Sequence, residues 1–172
     1  SEDFYVDQDI SVHISTQVDS IDKISMKVKT KDSSFAFDYL VFATGASPRL
    51  FSMPNADAKN LFYLRQINDV LDIHKKLDSA KEIVLIGGGY IGLEVASAMI
   101  ELGLKVTILE SEDRILKRVT SPELSSFYDN FHQDKGVKIL CNVEITQFIG
   151  DSSAITGVEL ESGERISTDI VL

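Results

Sequence analysis

The chain is short of the features that define several large classes of protein. It holds one cysteine, Cys141, in 172 residues, so it can form no internal disulfide and no multi-thiolate metal centre. No apolar run approaches the roughly 20 residues that a membrane-spanning helix requires. Basic residues are outnumbered: 17 Lys and Arg face 27 Asp and Glu, for a net charge of −10. That balance opposes sequence-independent binding to nucleic acid or to an anionic membrane. No secretory leader is read at the start, where Ser1-Glu2-Asp3 is acidic and no initiator Met stands. The expectation is a soluble, cytoplasmic chain that is a piece of a longer one.

What is present fits a globular α/β protein. Apolar residues make up 44% and charged residues 26%, enough for one core without cross-links. Residues 10 to 43 read as strands. Ile10, Val12 and Ile14, then Ile24, Met26 and Val28, alternate with polar residues at period two. Asp38 to Ala43 is a nearly continuous apolar run, which predicts a strand buried on both faces. It stops at the breaker cluster Thr44-Gly45-Ala46-Ser47-Pro48. Ser52 to Asn60 reads as a polar linker.

Strands and helices then alternate. Ile67, Val70, Leu71, His74 and Leu77 fall at helical spacing, and Glu82 to Ile86 is a buried strand. Tyr90 to Leu102 is a helix stopped by Gly103, and Leu104 to Leu109 a strand. Ser121 and Pro122 supply an N-cap and a first-turn proline for a helix running to about Lys135. Val137 to Leu140 is a strand again. This order predicts a Rossmann-like, doubly wound parallel sheet with an inserted β-meander. The chain also repeats itself. Ile10, Val12, Val18 and Ile21 match Val137, Ile139, Ile145 and Phe148 at one constant offset, and Asp38-Tyr39-Leu40-Val41 matches Asp169-Ile170-Val171-Leu172 at a slightly larger one. A fragment of a duplicated two-domain protein has this form.

The densest chemistry lies at Gly87-Gly88-Gly89-Tyr90-Ile91-Gly92. A bare G-x-G-x-x-G is weak, but this one follows a buried strand, opens a helix, and precedes a second strand ending in Glu110. Gly87 makes the tight turn, Gly89 admits a pyrophosphate to the backbone, and Gly92 lets helix and strand pack closely. The helix N-terminus offers free N–H groups and partial positive charge. Glu110 is placed to accept hydrogen bonds from the adenosine ribose and to repel a 2′-phosphate, which favours NADH over NADPH. Glu94 lies on the flank of the same helix. His13, His74 and His132 share no motif and read as structural or solvated. Cys141 reads as a small buried hydrophobe.

Together these residues resemble the pyridine-nucleotide-dependent FAD flavoprotein reductases, closest to the ferredoxin and rubredoxin reductases. The likeness is carried by Tyr39 to Arg49, Tyr63 to Arg65, Ile86 to Ala96 and Arg114 to Pro122. It implies that residues 1–58 are the C-terminal part of a first FAD-binding segment plus linker. Residues 59–172 become an NAD(P)-binding domain truncated at its last strand. It further implies that Thr44 and Gly45 approach FAD through their backbone, that Arg49 contacts it, and that Glu94 lies beside the nicotinamide. The implied reaction passes a hydride from NADH to FAD and then electrons to a ferredoxin or rubredoxin. The alternatives are a flavoreductase with monodehydroascorbate, a disulfide, quinone or oxygen as acceptor, or an NADH-sensing module like apoptosis-inducing factor. Such iron–sulfur partners are usually acidic, so docking needs a local basic patch, for which Arg114, Lys117 and Arg118 are the candidates.

Overall fold

The computed structural model describes residues 2–172, which divide after Ala46 into two compact units. The first unit contains a short helix α1 (Glu2–Asp7) and the strands β1 (Val18–Asp22), β2 (Lys27–Thr30) and β3 (Ser34–Ala36). These strands form an antiparallel meander in the order β1-β2-β3. The β1–β2 turn is held by Asp22, whose Oδ1 accepts from the N–H groups of Ile24 and Ser25, each at 3.0 Å. Those bonds, with Lys29 nearby, hold the Asp22 carboxyl down to about 2.

Two expected strands are absent from this unit, and His13 accordingly lies in irregular chain. Ile10 to Ile14 is bracketed by Asp9 and Ser15, both with positive φ (54° and 53°), which interrupts an extended chain. Asp38 to Ala43 is irregular, and Tyr39 and Val41 are 93% and 82% exposed. A strand apolar on both faces needs hydrogen-bonded neighbours and a covering layer on each side. The meander of this unit supplies neither, since β1, β2 and β3 pair only with each other.

The second unit contains α2 (Ile67–Leu77), β4 (Glu82–Ile86), α3 (Tyr90–Glu101), β5 (Lys105–Leu109) and α4 (Pro122–Asp134). They are followed by β6 (Lys138–Leu140), β7 (Ile145–Gly150), β8 (Ile155–Leu160), β9 (Arg165–Ser167) and β10 (Ile170–Val171). The predicted parallel sheet is present, in the order β10-β4-β5-β6, and β7-β8-β9 forms a second antiparallel meander. Strand alternation distributes this sheet between two cores. Ile83, Leu85, Val106, Ile108 and Ile170 pack with Leu93, Ala96 and Met99 of α3. Val84, Leu109 and Val171 face the opposite way, onto Phe148, Ile155, Val158 and Leu160 of the meander. The result is a helix layer, a sheet and a meander layer. Connection of β4 outward to β5 and β6 on one side, and to β10 on the other, creates a switch point at the carboxyl end of β4, where α/β sheets bind ligands.

Capping follows the sequence signals. Ser121 accepts from the Leu124 N–H, Pro122 opens α4, and Gly103 takes φ +85° after α3. The α2 helix starts where Asp69 Oδ2 accepts from the N–H groups of Arg65 (2.8 Å) and Gln66 (2.6 Å). Its docked face differs from the predicted stripe: Ile73 is buried, while Ile67, Val70 and Leu71 are exposed.

The predicted linker, Ser52 to Asn60, is not a free tether. Phe51, Met53, Ala56 and Ala58 join the meander core. Asn60 is buried: its side-chain N–H groups donate to Ile155 O (2.7 Å) and Asp169 O (2.8 Å), and its Oδ1 accepts from Ile155 N–H (2.7 Å). Asn55 likewise donates to Phe148 O and Gly150 O. Side-chain amides can carry donors and an acceptor at once, which is why polar residues serve as internal pins here.

Candidate functional site

The Gly-rich segment lies at the carboxyl end of β4, and each of its glycines meets a different constraint. Gly87 has φ +110°, a region costly for any residue with a Cβ, and its N–H donates to Leu109 O at 2.8 Å. Gly88 is buried beneath the loop after β5. A Cβ on it would lie 2.6 Å from Ile115 Cγ2, and its carbonyl accepts from Leu116 N–H at 2.8 Å. Gly89 is the N-cap of α3, and a Cβ there would meet nothing within 4 Å. Gly92 sits over Gly87: its Cβ would lie 2.1 Å from Gly87 O. The helix can therefore begin directly against the strand end, with the backbone open to solvent at Gly89.

Glu110 follows β5 and is half-buried beside the loop. Its Oε2 accepts from Gly88 N–H (2.7 Å), and its Oε1 from Glu112 N–H (2.9 Å). The carboxylate thus ties the glycine loop to the β5 loop. Each oxygen of an ionised carboxylate has two lone pairs, so capacity remains for a ligand hydroxyl. The sequence motif points to the ribose role; the tether to Gly88 emerges only in three dimensions.

Two of the cavities bordering this loop meet at the start of α3 and share Gly87, Gly89 and Tyr90. One, of about 350 Å³, is lined by Glu110, Glu112, Leu116, Lys117 and Arg118. The other, of about 520 Å³, is lined by Arg49, Phe51, Phe62, Tyr63, Ile91 and Leu172 among others. The aromatic wall is ordered by Tyr63, whose hydroxyl accepts from Phe51 N–H at 2.9 Å. A charged cavity and a largely apolar one, meeting at a helix N-terminus, match a dinucleotide with one base in each and its diphosphate between. The open space at Gly89 is the cradle that such a diphosphate requires, so the residues present fit a pyridine nucleotide.

Other expected residues are placed less directly. Glu94 is exposed on α3 and lines neither cavity. Thr44 and Gly45 are exposed in irregular chain of the first unit. Arg49 belongs to the second unit and to the wall of its larger cavity.

The expected basic docking patch is formed only in part: Arg118 is 84% exposed, while Arg114 and Lys117 are engaged by neighbours. Arg114 is directed inward, donating to Ser125 Oγ, Lys117 O and Thr120 O. Ser125 in turn donates to Ile115 O at 2.6 Å. This network fastens the β5 loop to α4, and so holds Ile115 and Leu116 against Gly88. Lys117 is paired with Glu112 (2.9 Å) and Asp113 (3.3 Å), which raise its pKa. A stretch read as a cationic surface is a loop brace (Arg114), a cation paired with the acidic residues that precede it (Lys117) and one broadly exposed cation (Arg118). Ile115 and Leu116 were missed as site residues; their only signal is an apolar pair inside an otherwise charged loop.

His132 is buried on α4, and burial lowers its pKa. Burial pushes the Cys141 thiol up, as for an inert thiol packed against the core.

Among the described residues, no helix is long and apolar enough to cross a membrane. The family model described as pyridine nucleotide-disulphide oxidoreductase matches residues 4–172. A rubredoxin-NAD(+) reductase of Pseudomonas putida is 34% identical over 172 residues, covering 99% of this chain and 45% of its own length. A ferredoxin reductase from Rhodopseudomonas palustris superposes with a TM-score of 0.87 at 32% identity, over 99% of this chain and 42% of its own. The reductase in a covalent putidaredoxin reductase–putidaredoxin complex gives 0.83 at 35% identity, over 99% and 42%. The chain thus spans less than half the length of these relatives. Motif, sheet order and whole-chain similarity agree, and the chain belongs to the pyridine nucleotide-disulphide oxidoreductase family.

Proposed function

We propose that this chain is the NADH-binding part of an FAD-dependent oxidoreductase that delivers electrons to a small iron–sulfur protein, a ferredoxin or rubredoxin. The observation that carries the reading is the junction of two cavities at the open N-terminus of α3, with Glu110 lining the smaller of the two. In this reading the adenosine lies in the smaller cavity, with its ribose hydroxyls donating to Glu110. The diphosphate meets the backbone N–H groups at Gly89, Tyr90 and Ile91. The nicotinamide enters the larger cavity, where Tyr63, Phe51 and Phe62 exclude water and orient the ring. Gly92 allows this geometry by bringing helix and strand together. Glu94, exposed on α3, belongs to the nicotinamide surroundings only through the resemblance.

The flavin's chemistry, when bound, is to accept a hydride and release electrons singly. Thr44, Gly45 and Arg49 are the residues of this chain that the resemblance assigns to it. In the proposed division, residues 1–58 belong to the flavin-binding part and 59–172 to the nucleotide domain. The names of the similar reductases support the iron–sulfur acceptor. A cytoplasmic location, where a lone thiol such as Cys141 stays reduced, completes the proposal.

The test is calorimetric titration of the full-length protein with NADH, followed by steady-state reduction of a ferredoxin or rubredoxin. Saturable NADH binding and reduction of the iron–sulfur protein are expected. Absence of NADH binding would overturn the nucleotide reading, and binding without electron transfer to any iron–sulfur acceptor would overturn the partner.

A further inference from the structure

Arg114 and Ser125 lie outside both cavities assigned to the nucleotide and line a separate one, of about 470 Å³. Ser125 is 2% exposed, yet its hydroxyl serves three neighbours. It accepts from Arg114 Nη1, donates to Ile115 O at 2.6 Å, and lies 3.2 Å from Thr120 Oγ1. The other arm of the Arg114 guanidinium donates to Lys117 O and Thr120 O, each at 3.1 Å. The Thr120 hydroxyl donates to Leu116 O at 3.2 Å. Together these bonds clamp residues 115–120, the stretch whose first two residues cover Gly88.

That stretch contains a strained residue. Leu116, 3% exposed, has φ +55°, in the left-handed region. A residue with a Cβ rarely adopts it and stays there only where its surroundings over-determine it. The Leu116 N–H donates to Gly88 O at 2.8 Å, while Glu110 Oε2 accepts from Gly88 N–H at 2.7 Å. A peptide bond is planar and trans, so its C=O and N–H point in opposite directions. Pinning the Gly88 carbonyl on Leu116 therefore fixes the direction of the Gly89 N–H, away from Leu116. Gly89 is also where an added Cβ would meet nothing within 4 Å.

We propose that Ser125 and Arg114 are positioning residues for the nucleotide: by holding Leu116 in its left-handed conformation they aim the Gly89 N–H at the diphosphate. The proposal rests on the nucleotide reading of the site given above. Neither residue touches the ligand. When either is removed, Leu116 relaxes, the peptide between Gly88 and Gly89 turns, and the diphosphate loses one donor.

The experiment is calorimetric titration of the full-length protein with ADP-ribose, a probe that carries the diphosphate and no redox end. The stoichiometry counts the folded molecules, and the dissociation constant reports the site within them. Ser125→Ala and Arg114→Met are each expected to weaken ADP-ribose about tenfold at unchanged stoichiometry, for one hydrogen bond to a charged group. The double variant should lie within about twofold of the weaker single one, because both act through Leu116. Thr120→Val, at a half-buried position, is the mildest change and should weaken the probe about threefold, for one neutral hydrogen bond. Ser125→Ala retains the Arg114 charge, so a loss confined to Arg114→Met would be an effect of charge and overturns the proposal. Reduced stoichiometry with unchanged dissociation constants would be a structural role only and overturns it as well, as would additive losses or wild-type affinity in Thr120→Val. If the wild-type protein does not bind ADP-ribose, the nucleotide reading itself fails, and this inference with it.

Discussion

Replacing Gly92 by Ala probes the closest backbone approach in the site. The new Cβ would lie 2.1 Å from Gly87 O and 3.3 Å from Gly87 C. Ordinary contact between such atoms requires about 1 Å more, and no side-chain rotation can provide it because the obstacle is main chain. The first turn of α3 must therefore lift from the end of β4. It cannot lift alone, since Gly87 N–H is bonded to Leu109 O, Gly88 N–H to Glu110 Oε2, and Leu116 N–H to Gly88 O. Overpacking of this kind costs about 1–3 kcal/mol, and the upper end is expected here. Misalignment of the loop N–H groups should also weaken NADH by roughly 10- to 100-fold, the loss of one hydrogen bond to a charged group. Gly89→Ala is the matched control. Its backbone, at φ −83° and ψ −175°, suits any residue, and its Cβ meets nothing within 4 Å. That variant should keep its stability within about 0.5 kcal/mol and still lose NADH affinity, because the methyl group fills the diphosphate cradle. Urea unfolding followed by far-UV circular dichroism, beside calorimetric NADH titration, separates the two effects. A Gly92→Ala protein as stable as wild type would refute the steric argument, and a Gly89→Ala protein with wild-type NADH affinity would refute the cradle.

Two further outcomes follow from the core. Asn60→Ala removes three hydrogen bonds to Ile155 and Asp169, two of them buried, and should destabilise the second unit by about 3 kcal/mol; a urea midpoint within error of wild type contradicts the pin. Buried His132 has its pKa below the usual 6.5, so the unfolded chain binds its proton first as pH falls. The stability contribution is complete above pH 6.5 and is lost as pH falls through the lowered value. Unfolding midpoints measured between pH 7.5 and 5 should fall more steeply in wild type than in His132→Leu, and parallel profiles would remove His132 as the cause.

Periodicity located β4, α3, β5, α4 and β6 closely, because each has a strong local signal: a buried apolar run, a glycine stop, or a Ser-Pro start. The same logic failed at Asp38 to Ala43 and at Ile10 to Ile14, where an apolar pattern states a preference but pairing must come from other strands. It also missed the packing of Asn55 and Asn60, since an amide that pins two segments far apart in sequence looks like any loop asparagine. In the site, Gly87, Gly89, Gly92 and Glu110 could be read from spacing alone. Arg114 could not, because whether a cation faces solvent or three oxygen acceptors depends on how its loop folds.

The scarcity of cysteine, of long apolar runs and of positive charge narrowed the class of protein before any element was placed. The glycine spacing then determined the loop between β4 and α3, since its constraints are local: a positive φ, a helix start, a close approach one turn away. Tertiary structure alone decided what surrounds that loop. It brought Ile115 beneath Gly88, tied Glu110 to the glycine loop, and paired Lys117 with Glu112 in the cavity beside it. Those relations join residues on different elements, and chain order carries no record of which partner a charge or a methyl group will meet.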